Sequence, residues 1–483
     1  MKIGFTEILL QDPLKRSHKV KKYILPLAVL MAWVFSAYSA ETPAVGPAPI
    51  ITTVMNNGPS NNRINIVFLS EAYTASMRET YFNDVNIAVE EMFKYSPYKE
   101  YKKYFNVWAV WVASQDSLLS IVDYGQTPRT YFGQWGGLDP DLKKIDVTLR
   151  SFFNQKDPTV MVLFVNDERI SGSASQPERV SFLGLSSVGT SRMRHDLFYT
   201  REIFADMGTH EFSHAFAGLA DEYSGLVALK PGMNDQDISW PLREVPPNAT
   251  TEKSRDLVKW KHWINTNIPI PTPSSSSYAD KVGLFEGAGS FMGGLYKPKQ
   301  FCAMGKYHPE IERMHPFCEV CREAIVKTIY KYVDPTAEFA SYVGENTTIF
   351  TINPPQPADH SLSILWKVDG VIVARNTNTF PVTDTEIGYG RHKLQMEIVD
   401  PTEFVRYDPD KLLVSSKEWD VISLPLPDFT GDGTVDFEDF FRFADHFGQD
   451  ATTVEVQKYD LDWDGKISFG DFFLFADQFG KSL

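Results

Sequence analysis

The stretch Thr209-His-Glu-Phe-Ser-His-Ala-Phe-Ala-Gly-Leu-Ala-Asp-Glu-Tyr223 constrains this chain more than any other. His210 and His214 stand four residues apart, so a helix there puts both imidazoles on one face, one turn apart. Two imidazoles so placed can share a zinc ion at about 2.0–2.1 Å. Glu211, beside the first histidine, can reach a water on that ion without ligating it. It can then take the proton as the water attacks a carbonyl. A fold for this chain must present such a helix and return a third ligand to it, because catalytic zinc usually has three protein ligands plus water.

The spacing after His214 favours Asp221 as that third ligand. In the metzincin metallopeptidases the pattern is HExxHxxGxxH or HExxHxxGxxD, where the glycine breaks the helix and lets the chain swing back. Here Gly218 lies four residues after His214, one more than in that pattern, and Asp221 follows Gly218 by the usual three. Glycine and ligand are displaced together, as a one-residue insertion before the turn requires. Glu222 is the alternative, and either carboxylate could instead orient a ligating histidine. Met304, in Phe301-Cys-Ala-Met-Gly305, suits the methionine turn that lies beneath the metal in metzincins.

With these features the chain resembles the IgA-peptidase family of bacterial zinc metallo-endopeptidases. Besides the zinc stretch, the resemblance rests on Asn65-Ile-Val-Phe-Leu69 with Tyr73-Thr74, and on Tyr104-Phe-Asn-Val107. Val282-Gly-Leu-Phe-Glu-Gly-Ala-Gly289, Leu295-Tyr296, Cys302-Ala-Met304 and Pro316-Phe-Cys-Glu-Val-Cys321 complete it. It covers about residues 61–333 and implies a metzincin-like fold with zinc-dependent endopeptidase activity. Ser213 and Ala217 stand where the family often has glycine, and neither change removes a ligand or the base. The immunoglobulin specificity of particular members is not carried over. Tyr307 and Tyr223 are candidate donors to a transition-state oxyanion, and His308, His315 and His262 are weaker candidate ligands.

The chain's net charge of −15 includes an N-terminal excess of Lys2, Lys15, Arg16, Lys19, Lys21 and Lys22 over Glu7 and Asp12. Without that segment the remainder is more acidic still. Such a surface repels phosphate backbones, so nucleic acid is excluded as a partner, whereas acidic clusters suit divalent cations. The basic stretch Lys15–Lys22 precedes an apolar run, Tyr23–Val34, and then the small residues Ser36, Ala37, Ser39 and Ala40. That order is a signal peptide, residues 1–40, and predicts a secreted or cell-surface protein. The 3 cysteines, Cys302, Cys318 and Cys321, permit one disulfide and one thiol, or a structural zinc with nearby His315. Outside the cytoplasm the disulfide is favoured.

The sequence divides into a linker at 41–60, the zinc peptidase domain at 61–333, a β-sandwich at 334–424 and a repeat pair at 425–483. The first of these domains alternates β-rich runs (Ile64–Leu69, Phe105–Val112, Thr159–Val165) with a helical pattern at Tyr81–Tyr95, which predicts α/β architecture. The runs Thr347–Ile352, Leu362–Val368, Leu394–Val399 and Lys411–Val414, separated by turn signals, predict an immunoglobulin-like sandwich.

The last segment is a duplication. Asp428, Asp432, Gly433, Phe437, Asp439, Phe440, Phe441, Phe443, Ala444, Asp445, Phe447 and Gly448 recur at Asp460, Asp464, Gly465, Phe469, Asp471, Phe472, Phe473, Phe475, Ala476, Asp477, Phe479 and Gly480. Each copy fits an EF-hand calcium loop, with oxygens at positions 1, 3, 5, 7, 9 and 12 around a glycine at 6. The first offers Asp428, Thr430, Asp432, the Thr434 carbonyl, Asp436 and Asp439; the second offers Asp460, Asp462, Asp464, the Lys466 carbonyl, Ser468 and Asp471. Aspartate at position 12 resembles the dockerin modules of secreted bacterial enzymes, which implies a small helical pair and a cohesin-like or cell-surface partner. The phenylalanines of both copies are expected to share one core. Two readings follow: a secreted endopeptidase acting on protein or peptide substrates with Zn2+ and Ca2+, or a non-catalytic surface adhesin whose zinc is structural.

Overall fold

The computed structural model describes residues 48–117, 129–133, 140–166, 172–177, 182–189, 201–305, 314–343, 348–387, 390–423 and 425–481. The signal-peptide reading, and the candidates Tyr307 and His308, fall outside these residues. Among the described residues, no helix is long and apolar enough to cross a membrane.

Runs of β-branched and aromatic residues form β1 (Ile50–Met55), β2 (Ile64–Glu71), β3 (Phe105–Trp111) and β4 (Thr159–Val165), and the small-residue strands β5 (Gly172–Ser175) and β6 (Gly184–Gly189) complete a six-stranded sheet with them. The strand order is β1-β3-β2-β4-β6-β5. The four inner strands are parallel, with Ile66 opposite Val107 and Val160, and Leu163 opposite Ser187. Both edge strands, β1 and β5, run antiparallel to their neighbours. Parallel strands covered on both faces read as continuous apolar runs, and β2 is buried along its whole length.

The two faces sort by residue parity. Ile64, Ile66 and Phe68 join a core with helices α1 (Arg78–Met92), α3 (Arg201–Ala217) and α4 (Glu319–Tyr332). Val67 and Leu69 face the other way, against Ile145 and Leu149 of α2 (Leu142–Arg150). The result is a three-layer α/β arrangement that carries α3, the helix of the two histidines, on one face of the sheet. Strand β1 lies inside the stretch expected to be a linker. It is half-buried rather than solvated because its backbone pairs with β3, from Ile50–Trp111 to Met55–Val107. A hairpin of β7 (Phe285–Ala288) and β8 (Phe291–Lys297) lies beyond.

Two further sheets share one core. One has the order β13-β10-β9 (Thr379–Val382, Thr348–Ile352, Phe339–Val343). The other has β12-β11-β14-β15 (Val371–Arg375, Ser363–Val368, Gly390–Val399, Val414–Ser423). Alternate residues from both, including Phe350, Ile352, Ile364, Trp366, Phe380 and Met396, form that core. The strand expected at Lys411–Val414 instead begins at Val414 and runs to Ser423. Its alternating polar sequence pairs with β14 over ten residue pairs, from Val414–Val399 to Ser423–Gly390. A buried carboxylate joins these sheets to the α/β part. The hydroxyls of Tyr101 and Tyr330 each donate to Asp400 Oδ2 at 2.6 Å, and His360 Nε2 lies 2.6 Å from Asp400 Oδ1.

The C-terminal copies interlock. Val435 exchanges backbone hydrogen bonds with Gly480 and Lys481, and the equivalent Ile467 exchanges them with Gly448 and Gln449. Each copy's loop thus pairs with the end of the other copy's helix, α5 (Phe437–Ala444) or α6 (Phe469–Gln478). The core they enclose is smaller than the phenylalanine pattern predicts. Phe443 and Phe475 are buried with Val435, Leu461 and Ile467. Phe437, Phe441, Phe469 and Phe473 are each over 60% exposed, because helices this short can bury only one stripe. Together, the several sheets and helices are consistent with a multidomain α/β protein.

Candidate metal centres

Helix α3 ends where Gly218 adopts φ +63°, a left-handed conformation that glycine takes without a Cβ penalty, with its N–H donating to the His214 carbonyl at 3.1 Å. The chain then folds back over the helix. His214 Nδ1 donates to the Leu219 carbonyl at 2.5 Å, and His210 Nδ1 donates to the Ala303 carbonyl at 2.8 Å. With both Nδ1 atoms engaged, both Nε2 lone pairs face inward.

Those nitrogens lie 3.1 Å apart, and each is 3.2 Å from Asp221 Oδ1. Donors at about 2.0–2.1 Å from a tetrahedral zinc stand about 3.3 Å from one another. The three side chains therefore fit that ion, and the carbonyls behind the histidines are the partners a metal-ligating imidazole uses. Burial opposes charge on His210, but Asp221 and Glu211 outweigh it and push its pKa up to about 9. For Asp221, burial is outweighed by the two histidines, which hold its carboxyl below the usual range. Tyr223 lies against the same carboxylate, and burial with that negative charge pushes its phenol up to about 12.

Glu211 is buried beside this group, and burial raises its pKa against the lowering pull of His210 and His214. A carboxylate shifted towards neutrality suits proton transfer near pH 7. A Cβ built on Gly172 would meet Glu211 Oε1 at 2.3 Å, so edge strand β5 passes directly over this side chain. Glu211, His214, Asp221 and Tyr223 line a cleft of about 480 Å³ with Gly172–Ala174 on one side and Trp240 and Phe291 on another.

Glu222 does not join the histidines. Its side chain is buried against Cys302, Cys318 and Cys321, with Cys321 Sγ donating to Oε1 at 3.0 Å. All three cysteines are free, so the expected disulfide is not formed. Met304 lies under the site: its carbonyl accepts from Glu222 N–H at 2.6 Å, and the neighbouring Ala303 carbonyl holds His210. His262 is engaged by Glu323, and His315 packs on Phe301; neither is grouped with His210.

Asn248 escaped the sequence reading. Fully buried, it accepts from Ala220 N–H at 2.8 Å and donates to the Ala220 carbonyl and to Glu222 Oε1. It holds the segment that delivers Asp221, yet nothing in its local sequence signals this, because the contact spans 28 positions.

In the C-terminal copies, Asp460, Asp462 and Asp464 bring their oxygens together, and Gly465 turns the loop at φ +93°. Burial and neighbouring carboxylates raise the pKa of Asp460 and of Asp462. In the first copy Asp428 is also partly desolvated, but backbone N–H groups of Gly433 and Gly431 lower its pKa instead. Thr430 donates to Asp428, and Asp432 lies on the same loop, with its carboxylate accepting from Thr434 N–H. Asp439 and Asp471, at the twelfth positions, accept backbone N–H bonds across their own loops, from Thr430 and Asp436 and from Leu461 and Ser468. Lys466 N–H bonds Asp464.

A search among curated proteins found no match. Residues 52–137 and 188–278, which include most of β1, all of β2, β3 and α3, and Asp221, match the family model described as IgA Peptidase M64, a similarity that supports the IgA-peptidase family and suggests a peptidase.

Proposed function

We propose that this chain is an exported, zinc-dependent endopeptidase, with His210, His214 and Asp221 as the metal ligands and Glu211 as the general base. The observation that carries the reading is the convergence of three donor atoms within 3.2 Å of one another beside a buried glutamate. The similarity to IgA Peptidase M64, whose members are zinc-dependent in general, supports it.

Zinc, when bound, supplies a Lewis acid that makes water nucleophilic at neutral pH. The rest of the chemistry comes from the chain's own residues. Strand β5 is at the sheet edge and borders the cleft, so an extended peptide can add to it through main-chain hydrogen bonds. A peptide added there passes its carbonyls near Glu211, since Gly172 of β5 lies directly over that side chain. Glu211 takes the proton of the attacking water and delivers it to the departing amide nitrogen. Asp221, as third ligand, would offset part of the ion's charge, and Tyr223, held protonated at neutral pH, bonds Asp221 from the wall of the same cleft. The metzincin-like reading of this part rests on the helix, the returning aspartate and the Met304 turn.

The two facing sheets are proposed as an immunoglobulin-like spacer, and the C-terminal copies as a dockerin-like, calcium-binding attachment module for a cohesin-like or cell-surface partner. Support for calcium is strongest at the second loop, where three aspartates converge.

The deciding experiment is a cleavage assay on the full chain, with casein-like proteins and peptide libraries and with products mapped by mass spectrometry. Internal peptide-bond cleavage that stops with chelator and returns with zinc is expected. Stoichiometric zinc without any cleavage would favour the adhesin.

A further inference from the structure

A second cluster has the makings of a metal site that the peptidase chemistry does not use. Glu222, Cys302, Cys318 and Cys321 are all buried, and each offers one ligand atom within 4.8 Å of the others. Cys302 Sγ lies 3.8 Å from Cys321 Sγ, and Glu222 Oε1 lies 3.0 Å from Cys321 Sγ and 3.7 Å from Cys318 Sγ. A disulfide needs sulfurs about 2.05 Å apart. Two sulfurs bound at about 2.3 Å to one tetrahedral zinc stand about 3.8 Å apart.

Two further observations point to a cation. Glu222 Oε2 is buried with no hydrogen-bond partner, an arrangement that carries a full desolvation penalty unless something else satisfies it. Cys318 N–H, at the start of α4, donates to Cys302 Sγ at 3.3 Å, the contact a thiolate sulfur accepts. Lys297 sits beside the cluster and donates to the Glu222 carbonyl, so a cation offsets part of the charge of four anionic ligands.

We infer that Glu222, Cys302, Cys318 and Cys321 form a second, structural zinc site. Four protein ligands close the coordination sphere, which marks a structural rather than a catalytic ion, and thiolates select zinc over calcium or magnesium. The site joins three segments that are far apart in the chain. Glu222 directly follows Asp221, Cys302 precedes the Ala303 carbonyl that holds His210, and Cys318 and Cys321 open α4. Closing it fixes the backbone on which Asp221 and the support of His210 depend.

The inference goes beyond the proposed peptidase activity and is tested without it. In the full chain carrying His210→Ala and His214→Ala, this cluster is the one thiolate-bearing metal group left among the described residues, the aspartate loop of Asp460, Asp462 and Asp464 offering oxygens alone. Reconstituted with cobalt under reducing, anaerobic conditions, that variant should bind one equivalent and show a thiolate-to-cobalt charge-transfer band in the near ultraviolet. Adding Cys321→Ser should remove the band. Wild type should carry two zinc equivalents and lose only one to mild chelator. Thiol titration in denaturant with chelator should find three thiols, and in the native protein those thiols should react only when chelator is present. A single thiol in denaturant, showing a disulfide, would overturn the site, as would three thiols that react in the native protein without chelator. If the double-histidine variant fails to fold, the charge-transfer band of cobalt-loaded wild type decides, since nitrogen and oxygen ligands give none; its absence overturns the site. Wild type holding one zinc with the band present would instead count against the histidine centre.

Discussion

Asp221 and Glu222 are consecutive, yet their carboxylates enter different clusters. Asp221 Oδ1 is 3.2 Å from Nε2 of both His210 and His214, whereas Glu222 Oε1 is 3.0 Å from Cys321 Sγ. The two side chains diverge because the backbone between them is gripped on both sides. The Asp221 carbonyl accepts from Gly289 N–H at 2.9 Å, and Glu222 N–H donates to the Met304 carbonyl. Two acidic residues that the sequence offers as equivalents thereby acquire separate chemistry.

This separation predicts how the histidine centre fails. Asp221→Ala removes one of three donors while leaving both imidazoles on their carbonyls, and should raise the zinc dissociation constant at least tenfold. Metal content after dialysis against graded chelator reads the effect. Equal retention by Asp221→Ala and wild type would remove Asp221 from the ligand set.

Replacing Glu211 tests the base. Glu211→Gln keeps the size of the side chain and all three donors, so zinc content should match wild type while kcat falls by about 10²-fold or more. Activity near wild type in a zinc-loaded Glu211→Gln protein would show that another group takes the proton.

His360 gives a pH dependence of stability. Burial disfavours its charge, but hydrogen bonds to Asp400 and Asp359 outweigh that and raise its pKa. A raised folded-state pKa means the stabilisation is complete below the ordinary histidine value of about 6.5. It is lost as pH rises through the folded value. The stability gap between wild type and His360→Gln, from denaturant melts across pH 5 to 9, should therefore shrink as pH increases. A gap that widens with pH would contradict the charged pair.

Calcium should order the C-terminal copies. Asp460, Asp462 and Asp464 crowd their carboxylates together, and repulsion among them opposes the closed loop until a cation enters. Limited proteolysis of the full chain should cut after residue 425 faster in chelator than in calcium. Asp464→Ala should weaken that protection while zinc-dependent activity persists. Identical digestion in calcium and in excess chelator would leave the copies as a metal-free helical pair.

What the sequence determined by itself was local or repeated. The four-residue step from His210 to His214 sets both imidazoles on one helix face, and the three-residue step from Gly218 to Asp221 is enough to bring a carboxylate back. Apolar runs of β2 to β4 mark strands buried on both faces, and twelve paired identities mark the duplication. Tertiary structure alone decided the rest. The fate of Glu222 depends on Cys302, Cys318 and Cys321, which lie 80 to 99 positions away, and on Asn248, 26 positions away. Strand β1 has the β-branched run Ile50-Ile-Thr-Thr-Val54, a strand signal that the linker reading passes over, and only its pairing with β3 fixes its place at the sheet edge. The phenylalanines of the C-terminal copies look alike in the sequence, and only the packing of two short helices buries Phe443 and Phe475 while leaving Phe441 and Phe473 in solvent. Spacing along a chain specifies which side chains share a local face; which partners that face meets is set by contacts between distant segments, and the pattern of residues does not encode those one by one.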